Sequence, residues 1–217
     1  MHRKDDLLEA LQAYAESDFY PFHMPGHKRN LALLPDALPY SLDITEIDGF
    51  DNLHAPEGIL KELNNRLAAL YKSVASFALV NGSTVGILAG MRAAAAPESA
   101  VLVARNVHRS VCNALELLRL KPIWLSPKVD SKTGIAGGIS AESVRQALRA
   151  HPDARLVVLT SPTYDGVISD VASIVKAAHE KNVPVLLDEA HGAHLQFCGL
   201  SAFSGVSNKA DIVIQSL

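Results

Sequence analysis

The chain has 217 residues, 48% of them hydrophobic and 20% charged, with a formal net charge of −3. This is an ordinary soluble globular composition, long enough for a full core or slightly more than one domain. The near-neutral balance lacks the basic stripe of a nucleic-acid protein, and no apolar run reaches the ~20 residues of a membrane span.

The amino terminus, MHRKDDLLEAL, has no apolar core of a signal peptide. Residues 5–16, DDLLEALQAYAE, place Leu7, Leu8, Leu11, Tyr14 and Ala15 at helical spacing. In FYPFHMPGHKRN, residues 19–30, Pro21, Pro25 and Gly26 rule out a regular element and predict an extended arm. Turns at Pro35 and Pro39 lead into DITEIDGFDNLHAPEG, where Asp43, Glu46, Asp48 and Asp51 stand among turn residues. Such carboxylates could hold the cationic end of a substrate, Glu46 and Asp48 being the best placed, or form only a solvated loop.

From 59–72, ILKELNNRLAALYK reads as an amphipathic helix. Six short apolar runs follow: SFALV, AVLVA, PIWL, RLVVLT, VPVLLD and DIVIQ. Helical patterns separate most of them, STVGILAGMRAAAA, HRSVCNALELLRL, SAESVRQALRA and VASIVKAAHE, while TGIAGGIS reads as a connecting loop. Strands alternating with helices predict an α/β fold with a largely parallel sheet between two helical layers. No internal repeat or low-complexity segment interrupts it. The expected division is an amino-terminal helix and extended arm over 1–57 and an α/β domain over 58–217. Cys112 and Cys198 are too far apart for a paired metal motif, suit a reducing cytoplasm, and read as small buried hydrophobes.

The most informative stretch is VPVLLDEAHGAH, residues 183–194. An unbroken apolar run reads as a strand buried on both faces, and ligands collect at the carboxyl ends of such strands. Asp188 stands at that end without a partner in its own segment. One partner is a metal shared with His191 and His194, although the His-x-x-His spacing is not that of a helical zinc site. A second is ATP-bound magnesium, since LLDEAH also spells a helicase motif. The required Gly-x-x-x-x-Gly-Lys-Ser/Thr loop is matched by neither PGHKRN nor NGSTVG. A third is the protonated ring nitrogen of pyridoxal phosphate, which needs a buried Asp beside it. A capping carboxylate or core ion pair is the bland alternative.

The other strand-end loops supply complementary groups. Gly82, Ser83 and Thr84 open a helix after the first predicted strand, where free N–H groups make an anion seat, though Ser and Thr are also plain N-caps. His108 follows the second, as a ring able to stack on a planar cofactor or as an ordinary satisfied histidine. After the fourth, Thr160-Ser161-Pro162-Thr163-Tyr164-Asp165-Gly166 offers hydroxyls on a stiff turn. Phosphate seat, stacking ring, hydroxyls and acid suit one phosphorylated heteroaromatic cofactor.

FHMPGHKRN, DITEIDGFDNLHAPEGIL, LVNGSTVGILAG, RNVHRSVCNALEL, TSPTYDGV and LLDEAHGAH together resemble the major domain of the ornithine/lysine/arginine decarboxylases, enzymes of fold type I that use pyridoxal phosphate. The likeness runs from the arm to the last residue, with Asn30, where family members often have Gly, as a minor departure. It implies the fold-type-I large domain and decarboxylation of arginine, lysine or ornithine to a di- or polyamine, in a cytoplasmic homodimer when full length. Gly82, Ser83, Thr84 and Ser216 would hold the phosphate. His108 would stack on the ring, Asp188 would pair with its nitrogen, and Ala190 would lie against its face. His191, and less directly Thr163, would sit near the phenolic oxygen or the imine. Aldol cleavage and transamination share the Asp and phosphate features but lack the FHMPGHK arm.

Family members anchor the cofactor through the lysine of a Ser-x-His-Lys run. Here Ser216 and Leu217 are its first two positions, so the lysine is expected two residues further on. By the same resemblance a strand after that lysine would insert between the first and sixth strands here, and a small carboxy-terminal domain would follow. The chain is therefore expected to be a fragment, inactive alone. The alternative is a non-catalytic truncated paralogue that binds the cofactor weakly or assembles with a full-length subunit.

Overall fold

The computed structural model describes residues 6–30, 32 and 38–217. The expected turn at Pro35 and the first residue of the predicted 5–16 helix lie outside the described residues. The chain forms two compact units, residues 1–78 and 79–217.

In the first unit, α1 (Leu7–Glu16) starts at Asp6, whose side chain accepts from the backbone N–H groups of Leu8 and Glu9. The arm after it is irregular and is tied back to the end of α1. The Arg29 guanidinium donates to the carbonyls of Tyr14 and Ala15 at 2.7 and 3.2 Å, and the Tyr14 hydroxyl meets His23 Nε2 at 2.6 Å. The second helix, α2 (Ile59–Tyr71), follows the acidic stretch, and the two explain each other. Asp51 accepts from the N–H groups of Asn52, Glu57, Gly58, Leu60 and Lys61, so it closes the loop onto the first turn of α2. Those donors hold its carboxyl well below the usual carboxylate range. Asp43 pairs with His27 at 3.3 Å.

The second unit carries the sheet. Its strands are β1 (Ala100–Ala104), β2 (Lys121–Leu125), β3 (Val157–Thr160), β4 (Val185–Asp188) and β5 (Ile212–Ile214). They lie in the order β2-β1-β3-β4-β5, every pair parallel. Alternating side chains feed two cores. Leu102, Val157, Leu159, Val185 and Leu187 pack with α5 (Ala141–Ala150) and α6 (Val171–His179). Val101, Val103, Val158, Leu186 and Ile214 pack with α3 (Gly82–Ala94) and α4 (Arg109–Leu117). The result is the expected α/β/α layering, and structural neighbours described below share it. Among the described residues no helix is long and apolar enough to cross a membrane.

Two expectations need correction. SFALV, residues 76–80, is not a strand: the sheet ends at β5 on that side and no ladder reaches the segment. An apolar run without a pairing partner stays irregular, and Phe77, Leu79 and Val80 are exposed. The cysteines are exposed rather than buried. Cys112 lies on the outer side of α4, whose Val111 and Ala114 take the core positions, and Cys198 lies in the loop after β4.

Candidate active site

In parallel α/β units the helices run back against the strands, so helix N-termini gather at the strands' carboxyl ends. Here α3 and α4 begin at that edge on one face of the sheet. Two glycines let α3 lie close to the sheet. A Cβ on Gly90 would meet Leu186 Cδ1 at 2.8 Å and Ile212 Cγ2 at 3.1 Å, and one on Gly86 would meet Leu79 Cδ1 at 2.8 Å and Ile214 Cγ2 at 3.1 Å. Gly82, at φ +70°, turns the chain into the helix, a conformation that favours glycine. Asn81 precedes it without a side-chain cap, so the first-turn N–H groups around Ser83 and Thr84 have no side-chain acceptor from the cap position. Neither Ser83 nor Thr84 is the N-cap.

His108 is the N-cap of α4. Its Nδ1 accepts from the Ser110 N–H at 3.1 Å and lies 2.8 Å from the Ser110 hydroxyl. Accepting at Nδ1 leaves the proton of the neutral ring on Nε2.

Asp188 ends β4, in register with Thr160 at the end of β3. Alternation after Leu186 and Val158 sends both side chains to the α3/α4 face. Asp188 is 3% exposed, and its Oδ1 accepts from the Ala190 N–H at 3.2 Å. That contact answers the expectation of an acid with no partner in its own segment: the partner is two residues on. Burial pushes the Asp188 carboxyl up, opposed by the Ala190 N–H and by the nearby imidazoles of His108 and His191. Among the described residues no lysine or arginine forms an ion pair with it. The Thr160 hydroxyl on the neighbouring strand, Asn106 Oδ1 in the loop after β1 and Ser204 Oγ in the segment before β5 are buried without hydrogen-bond partners. Unpaired buried polar atoms are uncommon and call for a ligand or an ordered water.

His191 is exposed and stands edge-on to Tyr164, ring centroids 5.8 Å apart. Ala190 is half-buried between it and the strand. Thr163 is buried, and its hydroxyl accepts from the Val167 N–H at 3.1 Å while keeping its own proton free to donate. Ser216 is exposed two residues beyond β5. Glu46 and Asp48 belong to the first unit and are exposed. The Thr45 hydroxyl donates to Glu46 and holds its carboxyl below the ordinary value. Among the described residues no three His, Cys, Asp or Glu side chains are grouped to hold a metal ion.

Sequence reasoning missed Glu189 and Asn106 and named Thr160 only among the hydroxyls of its loop. Glu189 is wholly buried and accepts from the Gly205 N–H and the Gln215 amide, each at 2.7 Å; burial raises its carboxyl. A charged residue directly after a buried strand was the available signal, overshadowed by its neighbour Asp188.

The family description "Orn/Lys/Arg decarboxylase, major domain" matches residues 6–214. The uncharacterized protein YaaO of Bacillus subtilis is 40% identical over 97% of this chain and 45% of its own length. Arginine decarboxylase of the same organism is 36% identical over 97% of this chain and 44% of its own. The chain thus spans less than half the length of these curated relatives. Among solved structures, the lysine decarboxylase LdcF of Francisella novicida superposes with a TM-score of 0.79 at 25% identity, over 93% of this chain and 31% of that one. With the match covering nearly its whole length, the chain belongs to the Orn/Lys/Arg decarboxylase family, to the part of it called the major domain.

Proposed function

We propose that this chain is the cofactor-binding part of a pyridoxal-phosphate-dependent decarboxylase acting on a basic amino acid, arginine, lysine or ornithine, to give a di- or polyamine. In that reading the full-length protein works in the cytoplasm as a homodimer. The observation that carries it is the buried carboxylate of Asp188, which among the described residues has no lysine or arginine partner, in register with the unpaired hydroxyl of Thr160. A group bringing a cationic N–H would complete such a place, and the ring nitrogen of pyridoxal phosphate does so.

The residues present fit the group. The uncapped start of α3, with Gly82, Ser83 and Thr84, takes the phosphate, and Ser216 adds a hydroxyl. His108 covers one face of the ring and the small Ala190 side chain lies against the other. Asp188 accepts the ring N–H and keeps that proton in place. His191 and Thr163 supply hydrogen bonds near the phenolic oxygen. The bound ring supplies an electron sink for the pair left on the α-carbon when carbon dioxide departs. A negative carboxylate at the nitrogen favours the cationic ring, the form that withdraws electrons best. Glu46 and Asp48 are proposed to meet the substrate's distal cation.

Titrating the purified chain with pyridoxal phosphate, followed by absorbance, tests the reading. Saturable binding that inorganic phosphate displaces and that Asp188→Ala abolishes is expected. No binding by the parent protein, or equal binding by the variant, sinks it.

A further inference from the structure

Glu189 has no part in that scheme, although it is one of the most deeply buried polar residues of the chain. It follows Asp188 and points to the other face of the sheet. The Leu187–Glu189 alternation says so, and so does its donor Gly205, whose Cβ would strike Leu187 Cδ2 at 2.5 Å and Val213 Cγ2 at 3.0 Å. The last registered pair of β4 and β5 is Asp188 with Ile214, and the Glu189 N–H still donates to the Ile214 carbonyl at 2.8 Å. Beyond that rung the backbone ladder stops. The Glu189 Oε2 to Gln215 amide contact then continues the pairing through side chains.

The same carboxylate holds the loop that returns from β4. Its Oε1 takes the Gly205 N–H, and the Gly192 N–H donates to the Glu189 carbonyl at 2.8 Å. A Cβ on Gly192 would lie 2.5 Å from Glu189 Cγ and 2.8 Å from Pro162 Cδ, so the segment bearing Ala190 and His191 is wound directly over the Glu189 side chain. Asp188 is the chain neighbour of Glu189, and His191 and Ser216 are the neighbours of Gly192 and Gln215, which Glu189 holds.

We infer that Glu189 is a positioning residue: its bridge to Gly205 and Gln215 on the far face of the sheet sets where Asp188, His191 and Ser216 stand on the near one. The inference rests on the cofactor reading for its consequence, but its geometric half is testable without cofactor.

The test compares the parent chain with Glu189→Leu and with the swap Glu189→Gln/Gln215→Glu, which reverses donor and acceptor across the bridge. In cofactor-free protein, Glu189→Leu should lower the amide-exchange protection of Gly205 by about tenfold while Leu102 and Val157 keep theirs. Its affinity for pyridoxal phosphate should fall by about tenfold below the melting range. The swap should restore both. If Glu189→Leu does not fold, Gln215→Leu removes only the cross-strand contact, and the fall in affinity alone is expected of it, a parental affinity overturning the inference. Parental protection at Gly205 overturns the inference, as does a swap that restores neither quantity. Loosened exchange with undiminished affinity also overturns it, by removing the link to the site. If the parent binds no pyridoxal phosphate, the cofactor reading fails and the exchange result alone decides the role of Glu189.

Discussion

The carboxyl edge of the sheet has two faces built by opposite rules. On the α5/α6 side most of the buried polar groups are satisfied: Ser161 Oγ takes the Ser169 N–H, Ser169 Oγ takes the Ile139 N–H, and Glu189 takes two donors, with Ser204 Oγ the exception. On the α3/α4 side Thr160 Oγ1 has no partner, Asp188 has one backbone donor, and α3 begins without a side-chain cap. One set of strands thus presents a finished structural face and an unfinished one, a single residue apart in sequence. Leaving a buried polar group unpaired costs about 1–3 kcal/mol. A stable domain can carry that on one face only if the other is well paired, and the unfinished face is where a ligand gains most.

The largest expected effect breaks the contrast at its centre. On the proposed function, Asp188→Ala should lower the kcat/KM of decarboxylation by on the order of 10²–10³-fold, with Asp188→Glu retaining part of the activity. Equal rates for Asp188→Ala and parent would leave the unfinished face without a function. The next effect sets the faces against each other. Ser161→Ala strands the buried Ser169 N–H and should cost about 1–3 kcal/mol in urea unfolding, whereas Thr160→Val removes an already unpaired hydroxyl and should be neutral or stabilising. Equal costs would show that the two faces do not differ. Gly90→Ala and Gly86→Ala sharpen the geometry. Overpacking costs about 1–3 kcal/mol, and Ala in place of Gly in a helix returns about 1 kcal/mol. At Gly90 the obstructing Leu186 is locked in the core, so overpacking wins; at Gly86 the nearest atom belongs to the half-exposed Leu79, which can yield. Gly90→Ala should therefore destabilise more than Gly86→Ala and weaken phosphate binding with it.

Much of this was legible in the chain itself. The strands β1–β5 and helices α1–α6 of the described residues follow from apolar runs alternating with helical periodicity, and Asp188 and the α3 start follow from their places after such runs. What escaped was whatever depends on a partner distant in sequence. SFALV has strand composition, but a strand exists only through pairing, and no ladder reaches it. Asp51 read as one acid among four, yet it is the clasp on α2, because its donors lie up to ten residues onward. Glu189 needed Gly205 and Gln215, 16 and 26 residues away, before its role could be seen. His108 read as a stacking ring or a satisfied histidine and is satisfied at one nitrogen only, which leaves both readings standing.

The smallest expected effect concerns the charge on the unfinished face. Burial raises the Asp188 carboxyl, so the folded protein holds that proton more tightly than the unfolded chain. A group of this kind costs no stability below its unfolded value and costs progressively more as pH rises through the folded one. Asp188→Asn removes the charge and keeps the shape. In cofactor-free protein at neutral pH it should raise Tm by about 2–4 °C, the shift that ~1 kcal/mol produces in a chain of this size. The gain should shrink as pH is lowered below the ordinary carboxylate range, where the parent also carries a neutral group. Differential scanning calorimetry at two pH values reads it directly. A variant less stable than the parent at neutral pH would mean that Asp188 is held by favourable contacts after all, and that its face is as complete as the one behind it.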